Sequence, residues 1–74
     1  MLNSITLTHE EQLIANRVNH YFKCPEMSMK DKLYHAILIA QHDLDSHSFC
    51  GEAEKNRLTH YKNLLDNIWQ KMSV

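Results

Sequence analysis

Across its 74 residues this chain has one glycine, Gly51, and one proline, Pro25. Strands must be joined by tight turns, and tight turns draw on Gly, Pro or Asn-Gly pairs. So few turn formers leave helices as the way to build a fold, and the predicted fold class is all-α. At 43% hydrophobic with helical periodicity, the chain does not read as disordered.

Gly51 and Pro25 also mark where helices stop, which divides the chain into three. Residues 1–6 are expected to fray. Thr8 followed three residues later by Glu11 is a capping-box pattern, in which hydroxyl and carboxylate satisfy orphan amides. It opens a first helix predicted from about His9 to Lys23. Leu7, Ile14, Val18 and Tyr21 form its apolar stripe, with Leu13 and Phe22 on the flanks. Pro25 ends the helix, because proline disfavours helical geometry at Cys24 and cannot donate to the preceding turn.

Ser28 is the next N-cap, with Asp31 placed to favour the positive helix end. From Met29 to about Asp45, Leu33, Ile37, Ala40 and Leu44 step at heptad spacing. Met27, Tyr34 and Leu38 make a second stripe, so this helix needs two neighbours. A polar break from Asp45 to Gly51 is long enough to turn the chain back. A third helix is predicted from Glu52 to Met72, with Leu58, Tyr61, Leu65, Ile68 and Met72 in heptad register and Leu64 and Trp69 widening the stripe. At 1.5 Å per residue the second and third helices come to ~26 Å and ~31 Å. The expected architecture is one domain over residues 1–74: an antiparallel helical hairpin with a short N-terminal helix.

A core of this size rarely supplies more than ~3–5 kcal/mol without a staple or partner. Two cysteines, Cys24 and Cys50, do not make a disulfide framework. The start of the chain has neither the basic nor the apolar region of a signal peptide. No run reaches the ~20 apolar residues of a membrane span. The expected setting is the reducing cytoplasm, with no membrane association and both thiols free.

Net charge is −1 with signs interspersed, so the basic face that a phosphate backbone requires is missing and nucleic acid is disfavoured. The third helix does carry Lys55, Asn56, Arg57, Lys62 and Asn63. Glu52, Glu54 and Asp66 accompany them, and the helix exceeds a usual recognition helix.

Six histidines are the most unusual compositional feature. His20 and Cys24 lie one turn apart, and His42, His47 and Cys50 gather near the hairpin loop. Paired zinc spacings such as C-x₂-C or H-x₃-H are absent, so no metal or other cofactor is expected. The histidines read as surface residues, some with an acidic neighbour one turn before them (Asp31–His35, Asp43–His47). Cys50 near His47 lacks the orienting third group of a nucleophilic site, and Asp43 and Asp45 fall on different sides of a helix end. No catalytic residue is assigned and no enzyme activity is expected.

What stands out is apolar surface in excess of what a hairpin uses. Trp69 and Tyr34 are residue types that dominate interface hot spots. Tyr34, Leu38, Ile39, Leu64 and Trp69 are the candidate partner-binding residues, and Ile39 points away from both stripes of its helix.

Leu7-Thr8-His9-Glu10-Glu11-Gln12-Leu13, the turn from Leu44 to Gly51, and a following long helix bearing Tyr61, Leu64, Leu65 and Ile68 resemble the YscE-like co-chaperones of type III secretion needle subunits. The resemblance spans most of the chain as a pattern. It implies a cytoplasmic heterodimer with a tetratricopeptide-type partner, the two together shielding the needle subunit before export. Two other readings fit the residues: a small regulatory protein that binds a transcription factor or DNA, and a homodimeric helical bundle.

Overall fold

Thr8 and Glu11 form both halves of the predicted capping box in the computed structural model, which describes residues 6–72. The Thr8 hydroxyl accepts from the Glu11 amide at 3.1 Å, and the Glu11 carboxylate accepts from the Thr8 amide at 3.0 Å. They start α1, His9–Tyr21. Ser28 caps α2, Met29–Asp45, by accepting from the Asp31 amide at 3.1 Å. The third helix, α3, runs Gly51–Met72. The described residues are all-α, three helices with no strand. The expected fraying of residues 1–6 falls, apart from Thr6, outside the described residues.

α1 stops two residues earlier than the sequence predicts. Phe22 leaves helical geometry (φ −97°, ψ 88°) while its amide still reaches the Val18 carbonyl. Its ring sits edge-on to Tyr21 at 4.9 Å and packs against the core. Pro25 then occupies the second position of a turn closed by the Met27 amide on the Cys24 carbonyl at 3.1 Å, where its fixed φ suits the geometry.

The end of α2 carries a feature the sequence does not advertise. The His47 amide bonds the Leu44 carbonyl at 3.3 Å, and the Ser48 amide bonds the Asp43 carbonyl at 2.8 Å. Those paired bonds are a Schellman motif, which needs a left-handed residue just past the helix end. That residue is His47, at φ 57°, where glycine is usual. The glycine of the loop, Gly51, has φ 80° and opens α3, one residue before the predicted start. The Glu54 carboxylate accepts from the Cys50 amide at 3.2 Å, tying the turn to the first turn of α3.

α2 and α3 pair as an antiparallel hairpin: Tyr34 near the start of α2 meets Trp69 near the end of α3, ring centres 6.5 Å apart. α1 lies across this hairpin and touches both helices. Ile14, Ala15 and Val18 of α1, Leu33, Ala36 and Ala40 of α2, and Leu64, Leu65 and Ile68 of α3 form the core. Of the heptad positions of α2 and α3, Leu33, Ala40, Leu65 and Ile68 face inward as predicted, Ile37, Leu58, Tyr61 and Met72 lie at the margins, and Leu44 is half-buried outside the core cluster.

The stripe of α1 is rotated from the predicted one. At ~100° per residue, Glu11, Ile14, Ala15, Val18 and Phe22 share one face, and Tyr21 falls at its edge. Tyr21 is accordingly 74% exposed, and Ala15 takes a core position instead.

Polar ties hold α1 in place at both ends. Buried Lys32 donates to Asn19 at 2.8 Å near the end of α1. Near its start, Lys71 of α3 donates to Glu11 at 2.5 Å and to the Thr6 carbonyl at 3.2 Å. His60 and Glu10 meet at 3.0 Å on the exposed side. No described helix is long and apolar enough to cross a membrane.

Candidate partner-binding surfaces

The five residues singled out from the sequence separate into three places. Tyr34 and Leu38, both about half exposed, lie one turn apart on the outer edge of α2. Trp69 joins them from α3: partly buried, it packs against the core on one side and tilts against Tyr34 on the other. Lys30 sets its ammonium 5.2 Å from the Trp69 ring centre, close enough for a cation–π attraction. The result is an apolar edge with one cation beside it.

Ile39 does not belong to this edge. Five residues beyond Tyr34, it is rotated by about 140° and faces the α1 flank. There it lines a groove of ≈ 290 Å³ with Val18, Tyr21, Ala36, Leu58 and Tyr61. Arg17 and Asp43 stand in the same groove. Burial raises the affinity of the Tyr61 phenol for its proton, and the Arg17 charge opposes that shift.

Leu64 corrects the sequence reading most plainly. It is only 9% exposed and sits inside the core with Leu65 and Ile68. It shares that core with Ile14, Ala15 and Val18 of α1, so this side chain cannot meet a partner while the helices stay packed. Leu13 and Tyr21 are the exposed apolar residues that the sequence placed on α1's packing face or its flank. Their spacing of eight, two turns of one helix, is the signal that assigns both to one outward face once the stripe is centred on Ala15.

The predicted acid–histidine pairs do not form. Asp31 makes no ion pair with His35, whose ring lies 5.9 Å from Tyr34 and 6.3 Å from Phe22. Asp43 lies 3.9 Å from His42 rather than against His47, which the left-handed turn directs toward Phe49 at 5.6 Å. The Cys24 thiol is 3.5 Å from the Glu26 carboxylate, on the far side of the Pro25 turn. Among the described residues no three His, Cys, Asp or Glu side chains come together in an arrangement that could hold a metal ion.

No model of a known protein family matches this chain, and no curated protein or solved structure matches it either.

Proposed function

We propose that this chain is a protein-binding module, and that the outer edge of α2 is its working surface. The observation that supports this reading is the position of Tyr34 and Leu38. Both are large, about half exposed and one turn apart, and Tyr34 adjoins the Trp69 ring. Their exposed halves lie outside a core whose fully buried large side chains are Leu33, Leu65 and Ile68. Covering them with a partner's apolar surface removes that area from water at about 25 cal/mol per Å².

The occupant that fits is an amphipathic helix from another protein. Its apolar positions would lie along Tyr34 and Leu38, and an acidic residue would face Lys30, in the groove-binding mode in which anchors repeat at helical spacing. The co-chaperone role that the sequence resemblance implies is one form of this module: a tetratricopeptide-type partner and a needle subunit would supply the covering surfaces. Its mechanism is burial of an aggregation-prone surface, with no chemical step.

The test is a capture experiment from the native host, comparing the natural chain with Leu38→Asp. The expected result is a protein held by the natural chain at high salt and lost from Leu38→Asp, whose circular dichroism stays helical. Equal capture by both chains would remove the α2 edge as the working surface. Loss of capture on adding salt to the natural chain would point instead to nucleic acid or a charge-driven partner.

A further inference from the structure

Leu13, Tyr21 and Ile39 stand exposed on the α1 flank, away from the α2 edge. Leu13, Arg17 and Tyr21 follow one another at intervals of four along α1, so they form a single outward line. Arg17 and Tyr21 also wall the groove that holds Ile39, which makes the line and the groove one continuous surface. Its floor is Val18, Ala36 and Ala40.

We propose that this flank is a two-fold interface between two copies of the chain. The first argument is charge. Among the described residues Arg17 makes no salt bridge or hydrogen bond, and the sole ionic contact of Asp43 is 3.9 Å to His42, a side chain 80% exposed. The surface thus offers one uncompensated cation and one weakly compensated anion around an apolar middle. In an isologous contact each residue meets the complementary residue of the other copy. Arg17 then faces the second copy's Asp43, and Asp43 the second copy's Arg17, so the buried charges cancel. A foreign partner would have to supply the mirrored pair.

The second argument is size: a standard interface takes about 800 Å² from each partner, roughly 15% of this chain's 5199 Å². Residues from all three helices contribute to the flank, so that share is within reach. Burying it would add to a core too small to be comfortably stable alone.

The experiment is sedimentation equilibrium on the purified full chain from micromolar to millimolar concentration. Twice the chain mass is expected at the upper end. Arg17→Glu and Tyr21→Glu are each expected to weaken dimerisation by about thirtyfold or more, with circular dichroism unchanged. Arg17→Glu combined with Asp43→Arg should restore the dimer, whereas Leu38→Asp should leave the mass unaltered because it lies on the other surface. A chain that is monomeric throughout overturns the proposal. So does an assembly other than two copies, a dimer indifferent to Arg17→Glu and Tyr21→Glu, a folded double variant that stays monomeric, or a dimer lost with Leu38→Asp.

Discussion

Glu11 and Lys71 stand sixty positions apart in the sequence and 2.5 Å apart in the fold. The contact fastens the first turn of α1 to the last turn of α3, and the same carboxylate closes the capping box on Thr8. One side chain therefore supports both the local start of α1 and its long-range position. Glu11 is almost fully buried, whereas Lys71 is 38% exposed, so the ion pair alone is partly screened. Glu11→Ala removes the pair and the cap together. It is expected to cost about 1–3 kcal/mol, against about 1 kcal/mol for Thr8→Ala. Urea unfolding followed by circular dichroism measures both. Equal losses would mean that Lys71 contributes nothing.

Acid should weaken the fold through the same residue. The Lys71 hydrogen bond and then the Thr8 amide hold the Glu11 carboxyl below its ordinary value of 4.5, against the opposing effect of burial. A group lowered on folding gives its stabilisation in full above the unfolded value and loses it as pH falls through the folded one. Stability attributable to Glu11 should thus be flat above about pH 5 and decline below about pH 4.5. Glu11→Gln abolishes that charge, so its urea midpoint should fall less steeply than that of the natural chain over this acid range. Parallel acid profiles would show that other carboxylates dominate.

The two left-handed residues of the hairpin loop should respond to substitution with opposite signs. His47 adopts φ 57° with a side chain that resists it, and Gly51 adopts φ 80° without one. A left-handed backbone costs a non-glycine residue roughly 1–2 kcal/mol. His47→Gly is therefore expected to stabilise by about 1 kcal/mol, or roughly 4–8 °C in Tm for a domain of this size. Gly51→Ala should lower Tm by a similar amount. A Cβ at Gly51 would meet nothing within 4 Å, so backbone strain is the whole effect there. Thermal melts of both variants check the signs. If His47→Gly lowered Tm, the packing of His47 against Phe49 would outweigh the strain.

The sequence made some of this legible and hid the rest for identifiable reasons. Caps are local, so Thr8, Glu11 and Ser28 could be read from spacing alone. The heptads of α2 and α3 name Leu33, Leu65 and Ile68 directly, because two long helices packing antiparallel use the face that their periodicity creates. α1 is short, and its face is set by an alanine: Ala15 carries little hydrophobic signal, so Tyr21 looked like the better core residue. The sequence places Leu64 outward for a related reason: its burial depends on the packing of all three helices, which the periodicity of α3 does not carry. Lys32 reads as a surface charge until Asn19 is seen to meet its ammonium. The His47 turn was invisible because left-handed histidine has no spacing signature. Where a helix lies across others depends on contacts dozens of residues apart, and periodicity carries no such information.

The separation between core and binding edge can be tested on α2 itself, with two leucines five residues apart. Leu33 is 0% exposed and Leu38 is 48% exposed. Leu33→Ala opens a cavity in a core whose other fully buried large side chains are Leu65 and Ile68. Such truncations cost about 2–5 kcal/mol, comparable to the ~3–5 kcal/mol that a domain of this size holds. The variant should be largely unfolded at room temperature by circular dichroism. Leu38→Ala removes a side chain that already meets water on one side, and alanine is the better helix former. Its stability should lie within about 0.5 kcal/mol of the natural chain. The two effects differ because about 140° of rotation separates the positions at ~100° per residue, which turns Leu38 out of the core. Should Leu38→Ala unfold the chain as readily as Leu33→Ala, the outer edge of α2 would be structural. Tyr34 and Leu38 would then have no surplus surface to offer a partner.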